Sequence, residues 1–378
     1  MRVAITTEWM DTFGGGERVL GELHRMYPAA PIFTTVLRPA ALPWRLDDWD
    51  VRPSFIQRLP LVRRSHLAFL PLMPLAFQRF DLREFDVVIS TSSAFAKGVR
   101  TRPDAKNLCY CFTPPRYLWD LHEQYVRGRV RAALVAPLLR WLREQDLQAA
   151  QRVDRFIAIS REVAARIQRH YGREAEVIYP PVDVERIRPD GQPPDDFYLV
   201  VSRLVPYKRV DLAVQAATRL RRRLLVVGRG SEEPRLRRLA GPTVEFLGWR
   251  SDAEIARLFA RCRAFIFPGH EDFGIAPVEA QAAGRPVIAY GGGGATETVV
   301  DGRTGLFFAE QSVQALVAAL AQFEALEFEV GVCRRNAERF SSSRFRRQMR
   351  RAVSACVPDE APPRWARPRA AAGVSRQR

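Results

Sequence analysis

The stretch Phe265–Gly284, FIFPGHEDFGIAPVEAQAAG, decides how the rest of the chain is read. The apolar run Ala264–Phe267 has the length of a buried strand, and Pro268 and Gly269 end it. Glu271 and Asp272 follow on a loop. Pro277 falls in the first turn of the next helix, where its missing N–H costs nothing, and Glu279 comes eight residues after Glu271, just inside that helix. Open α/β sheets bind ligands at the carboxyl ends of their strands, and a helix amino end offers free N–H groups to an anion. Two carboxylates there can accept hydrogen bonds from hydroxyls while the N–H groups hold phosphate. A sugar nucleotide, with many hydroxyls and a diphosphate, suits that combination. Plainer readings exist: a Glu in a first turn compensates the helix dipole, and a Glu-Asp pair on a loop is often only solvated.

Around this stretch, strand-like and helix-like runs alternate: Phe197–Ser202, Arg209–Leu220, Leu224–Gly228, Glu232–Leu239, Val244–Leu247, Asp252–Arg261, Ala264–Phe267, Ala276–Ala283, Pro286–Tyr290 and Ala295–Val299. Ser251 with Glu254 forms a capping box. Such alternation predicts a parallel, doubly wound sheet. Toward the amino end, Arg2–Thr7 reads as a strand, Gly14-Gly15-Gly16 as a phosphate-type loop, and Glu17–Met26 as a helix. The dinucleotide fingerprint is absent. Val19 stands at its third glycine, and the strand Pro31–Val36 ends without a ribose-binding acid. Further strands are expected at Asp86–Ser90, Asn107–Cys111, Arg155–Ser160 and Glu176–Tyr179. A long helix is expected near 130–153, and another capped by Ser160. The proline-rich run Arg188–Asp196 reads as a linker. The predicted organisation is an α/β chain of two Rossmann-like domains facing a cleft: 1–187, a linker at 188–196, and 197–340. Helices near 311–325 and 331–353 close the chain, with 341–356 crossing back to the first domain and 357–378 a disordered tail rich in Pro, Ala and Arg.

With 378 residues, 47% of them apolar, the chain can build two cores. The formal charge of +17 favours anionic partners, but no nucleic-acid-binding module accompanies it, and no nucleic acid partner is expected. Five scattered cysteines make neither a disulfide framework nor a zinc spacing. The amino terminus enters a strand directly, and no apolar run approaches the roughly 18 residues that span a bilayer, so a cytoplasmic location is expected. Residues 56–80 mix Arg58, Arg63, Arg64 and Arg79 with Leu, Phe and Met, a pattern that fits either an anionic membrane surface or a core-packed segment with basic ends. Three prolines there forbid one long helix. Asp48-Trp49-Asp50 is a D-x-D, but no apolar strand precedes it, and it reads as surface.

Four places resemble the retaining glycosyltransferases of family 4, which have the GT-B fold: the glycine loop at 14–16, the segment CYCFTPPRYLWD at 109–120, Arg203 with Lys208, and Glu271 with Glu279. The second is similar to a bacterial branch that includes mannosyltransferases of surface polysaccharide assembly. The resemblance implies that Glu271 lies against the donor sugar and Glu279 binds the ribose hydroxyls. Arg203 and Lys208 would hold the diphosphate, with Gly15 and Gly16 approaching it. Gly228 supplies a second glycine loop, and the base is gripped near Trp249, largely through backbone. Phe273, Gly274, Ile275 and Ala276 complete the donor site, and Gly291–Gly294 closes it. Arg116, Tyr117, Trp119, Asp120 and His122 are the acceptor-side candidates. Phe112 stands where the family's active-site histidine is expected, with His122 as a substitute nearby. The implied activity is hexosyl transfer with Glu271, Arg203 and Lys208 as catalytic groups and with no metal or cofactor. The implied donor is GDP-mannose, or else a UDP-sugar, and the acceptor lipid-linked or polysaccharide. The implied site of action is the inner face of the plasma membrane.

Overall fold

The computed structural model describes residues 1–60, 62, 66–120 and 129–356. Two parallel sheets organise them. The first has seven strands in the order β3-β2-β1-β4-β5-β6-β7, formed by β1 (Val3–Thr7), β2 (Ile32–Thr34), β3 (Val51–Pro53), β4 (Val87–Ser92), β5 (Lys106–Cys111), β6 (Arg155–Ala158) and β7 (Ala175–Val177). The second has six, in the order β10-β9-β8-β11-β12-β13, formed by β8 (Tyr198–Val201), β9 (Leu224–Val227), β10 (Val244–Gly248), β11 (Ala264–Phe267), β12 (Val287–Tyr290) and β13 (Gly305–Phe308). Every pairing is parallel. The central strands are apolar and buried throughout, as sheets covered by helices on both faces require. Each sheet is the α/β arrangement that the sequence predicts. Strand order reverses between β1 and β4 in the first sheet and between β8 and β11 in the second. Those two points are where such sheets open a crevice.

Residues 188–196 carry no regular element between the sheets. Near them the chain makes a double crossing. Val182 N–H donates to the Phe340 carbonyl (2.9 Å), and Val182 and Ser341 form a parallel bridge. Beyond it, the helix Ser342–Ser354 returns to the first sheet. Its apolar positions Phe345, Met349, Ala352 and Val353 share one face at helical spacing and are buried. Phe345 meets Tyr110 of β5 edge-on at 5.6 Å, and Arg346 pairs with Glu22 at 2.6 Å. Burying side chains the size of Phe345 and Met349 contributes roughly 1.5–3 kcal/mol each.

Three expectations need correction. The continuous helix near 331–353 is two helices, Val330–Glu338 and Ser342–Ser354, because the Ser341 hydroxyl caps the second by accepting the Arg344 N–H. Edge strand β3 within residues 38–60 was not anticipated, nor was β13. Residues 357–378 lie outside the described residues. Asp48 and Asp50 are exposed, and Asp50 pairs with Arg52 at 2.6 Å, as a surface reading expects. Among the described residues, no helix is long and apolar enough to cross a membrane.

Candidate active site

The loops after β8 and β11 meet at the switch point of the second sheet. After β8, residues 206–208 make one 3₁₀ turn, and Arg209 takes a left-handed conformation (φ +51°) that swings the chain into the helix Val210–Leu220. Lys208 thereby points across to the β11 loop, where its ammonium pairs with the Glu271 carboxylate. Arg203 donates to the Tyr207 hydroxyl at 2.8 Å. The Glu271 carbonyl accepts the Gly294 N–H at 2.8 Å, so the 291–294 glycine loop backs directly onto the β11 loop. The helix Ile275–Ala282 begins at Gly274 with no side-chain cap, which leaves its first N–H groups to a ligand. Gly228 sits at φ +128°, and a Cβ there would lie 1.9 Å from the Ser202 carbonyl oxygen. Only glycine lets the β9 loop lie against the β8 loop.

The first sheet presents its own switch point to this one. A Cβ on Gly15 would fall 2.8 Å from Ile275 Cδ1, so the glycine loop touches the donor-side helix. Arg18, three residues on, reaches Glu279 at 2.5 Å and Asp252 at 3.5 Å. Glu279 is 7% exposed, and Arg186 approaches it at 3.9 Å. Arg116 and Arg166 both donate to Oδ1 of Asp272, the latter at 2.6 Å. Burial works against the Arg116 charge, but Asp272 outweighs it and the pKa rises. In the opposite sense, the Glu297 carboxylate accepts the N–H groups of Arg161 (2.9 Å) and Glu162 (3.2 Å) at the start of the helix Arg161–Tyr171, and the Tyr179 hydroxyl at 3.0 Å. Burial pushes the Glu17 carboxyl upward, against its own and the Gly14 N–H group; the Asp11 charge raises it further and the Arg203 charge opposes.

The polar groups behind the glycine loop serve the fold. Glu8 Oε1 accepts from the Ser92 hydroxyl and from the N–H groups of Ser93, Ala94 and Ala96 at 2.8–3.1 Å, pinning the loop after β4. Lys97 and Asp146 form a fully buried pair at 2.5 Å. Asp146 also accepts from the Tyr171 hydroxyl and Trp119 Nε1, each at 2.8 Å.

These contacts bring Lys208 to Glu271, Gly15 to Ile275 and Arg18 to Glu279, with Arg203 exposed near them. Other candidates do not join them. The Phe273 ring is buried between Tyr179 (5.7 Å) and Phe340 (5.6 Å), so only its backbone faces the cleft. The Trp249 indole is 67% exposed, although the adjoining Gly248 carbonyl accepts the Gly228 N–H at 2.7 Å. The acceptor-side group splits, because successive residues of a tight turn point different ways. Arg116 crosses to Asp272. Trp119 stacks on His170 at 5.0 Å, and Asp120 meets the same ring at 3.0 Å. The Tyr117 hydroxyl is buried with no hydrogen-bond partner among the described residues, and burial with the nearby Asp146 and Glu8 charges holds it protonated. His122 lies outside the described residues. Phe112 packs beneath Gly16, where a Cβ would stand 3.4 Å from its ring. Arg18, Glu17 and Arg166 were missed. Arg18 and Glu17 follow the glycine loop directly, a usable signal; Arg166 had none.

Two Rossmann-like units meeting across a charged cleft define a GT-B architecture, and comparison with known proteins agrees. Residues 13–186 match the model described as Glycosyltransferase Family 4, and residues 183–340 match Glycosyl transferases group 1. The chain belongs to family 4 of the glycosyltransferases. It is 31% identical over 226 residues to a D-inositol 3-phosphate glycosyltransferase of Streptomyces bingchenggensis, covering 49% of each chain. It is 40% identical over 122 residues to a GDP-mannose-dependent alpha-mannosyltransferase of Mycobacterium tuberculosis, covering 32% of this chain and 31% of that one. The first match spans about half of the relative's length. Among solved structures, sucrose-phosphate synthase of Thermosynechococcus elongatus superposes with a TM-score of 0.69 at 17% identity, over 94% of this chain and 99% of that one. A lipopolysaccharide outer core galactosyltransferase superposes with 0.66 at 18%, over 94% and 100%. At such identities the likeness is one of fold.

Proposed function

We propose that the protein is a retaining hexosyltransferase that moves mannose from GDP-mannose to a lipid-linked or polysaccharide acceptor without a metal or cofactor. One observation carries this reading: Lys208 and Glu271 converge from two switch-point loops, with Glu279 at the start of the adjoining helix. Lys208 and Arg203 supply positive charge for a diphosphate, a role that a divalent ion fills elsewhere. As the bond from the sugar's anomeric carbon to phosphate breaks, its electron pair goes to the nucleoside diphosphate, and those cations stabilise it. The acceptor hydroxyl attacks the same face, its proton passing to the departing phosphate oxygen. Glu271 orients the donor sugar's hydroxyls and Glu279 those of the ribose. The name of the mycobacterial mannosyltransferase supports GDP-mannose as donor.

Calorimetric titration with GDP, UDP and ADP and their sugars, without added metal, tests the reading. GDP binding that is lost in Glu279→Ala and Lys208→Ala supports it. A UDP preference changes the sugar. Failure to bind any nucleotide overturns the donor site.

The membrane reading of 56–80 is part of this proposal. Leu72 and Leu75 are exposed, as are Arg58 and Arg79 of the same stretch, while Arg63 and Arg64 lie outside the described residues. Leu138 and Trp141 of the helix Arg129–Gln151 add exposed apolar surface. Co-sedimentation with anionic but not neutral vesicles is expected, and Leu72→Ser with Leu75→Ser should abolish it.

A further inference from the structure

We infer that Asp272 is a positioning residue that couples domain closure to the reactive loop. The inference rests on the transferase reading above. Three consecutive side chains of the β11 loop go to three different places. Glu271 pairs with Lys208 inside the donor-side unit. Asp272 crosses the cleft, where Arg116 and Arg166 both donate to the same oxygen. Phe273 enters a cluster with Tyr179 and Phe340, whose rings meet each other at 5.1 Å beside the double crossing between the units. The loop therefore has one contact in its own unit, one in the opposite unit and one at the hinge.

The crossing contact is built to be rigid. The Arg166 side chain is 8% exposed and is held by Glu162 at 3.1 Å, Asp120 at 3.7 Å and the Thr113 hydroxyl at 3.3 Å. Asp120 is in turn fixed by His170. Arg116 opens a turn in which its carbonyl accepts the Asp120 N–H at 3.0 Å. Two arginines immobilised on the acceptor-side unit thus grip a carboxylate one residue from the group that contacts the donor sugar. When the units separate, the Asp272 contact must break and the loop loses one of its three supports. When they close, the same contact returns Glu271 to its place and shuts the cleft to water. Arg18 with Glu279 also bridges the units, but its contact falls on the helix and leaves the loop itself unclamped.

The test compares wild type with Asp272→Asn and Asp272→Glu, using Asp81→Asn as a surface control, since Asp81 is exposed and, among the described residues, is paired only with its exposed neighbour Arg83. With nucleotide sugar and acceptor, kcat, donor KM and the fraction of donor lost to hydrolysis are measured. Asp272→Asn should lower kcat about tenfold, which corresponds to the loss of about 1.4 kcal/mol of transition-state stabilisation. It should raise the hydrolysed fraction several-fold and leave donor affinity within twofold. Asp272→Glu should recover part of both, and Asp81→Asn should match wild type. A hydrolysed fraction unchanged in Asp272→Asn overturns the inference, as does a kcat loss that Asp272→Glu fails to relieve. If wild type acts on no nucleotide sugar, the transferase reading fails instead. The clasp is then judged by small-angle scattering, where Asp272→Asn must open the units relative to wild type and an unchanged profile overturns it.

Discussion

The two switch points share a topology and differ in what their polar groups do. At the β1/β4 point, Glu8, Lys97 and Asp146 are buried; Glu8 is satisfied by backbone N–H groups and Ser92, and the Lys97–Asp146 pair is completed by Tyr171 and Trp119. At the β8/β11 point, Lys208 and Glu271 come from separate loops and pair at the wall of a cleft, and the neighbouring helix start has no cap. The first arrangement is sealed inside one unit, whereas the second joins two loops and leaves the Lys208 and Glu271 side chains 15% and 18% exposed.

The contrast can be broken experimentally, and the largest effect belongs to the buried pair. Lys97→Met leaves the Asp146 carboxylate unpaired in the core and should cost about 3–5 kcal/mol in urea denaturation. A loss below about 1 kcal/mol would erase the distinction. Lys208→Ala should do the reverse, weakening nucleotide binding about ten- to hundredfold by calorimetry while the urea midpoint stays near wild type. Gly15→Val drives a side chain into Ile275 and should slow transfer about tenfold with nucleotide affinity unchanged, separating closure from donor binding. The smallest effect sharpens the comparison at Glu17, whose raised pKa is set first by burial. A raised folded-state pKa gives stability that is present below the unfolded value near 4.5 and is lost as pH rises through the folded value. Stability measured relative to Glu17→Gln should therefore decline as pH climbs above about 4.5, and a difference that is flat with pH would remove Glu17 from the low-dielectric rim of the cleft.

The second sheet was legible because its strands and helices alternate with clean period changes, and its capping box at Ser251 stands where the residues indicate. The loop carrying Glu271 and the helix carrying Glu279 were legible because loop ends and helix starts have local signatures, while Lys208 was singled out by the family resemblance. What crossed the cleft was not. The pairing of Arg166 with Asp272 joins residues 106 positions apart, and in a chain with 59 Lys and Arg no single arginine advertises its partner. The place of the Phe273 ring was not legible for the converse reason. Its neighbours in sequence face the cleft, but a large aromatic ring is driven to the nearest core, here the one shared with Phe340. Strand β3, of three residues, falls below the length at which periodicity speaks, and β13, GLFF, opens on a glycine that reads as a turn.

The return of the helix Ser342–Ser354 to the first sheet has a consequence for synthesis. Phe345, Met349 and Val353 fill the same core cluster as Ile5, Leu20 and Tyr110, although more than two hundred residues separate them along the chain. A nascent chain leaving the ribosome must therefore hold that face of its amino-terminal half uncovered while the entire carboxyl-terminal half is translated. The helix Ser342–Ser354 can seal it only once that segment has been made. The second half, whose inner cluster draws on residues 198–323, can complete that core first. Along the chain, the core of the amino-terminal half is thus the one that waits longest for its final part.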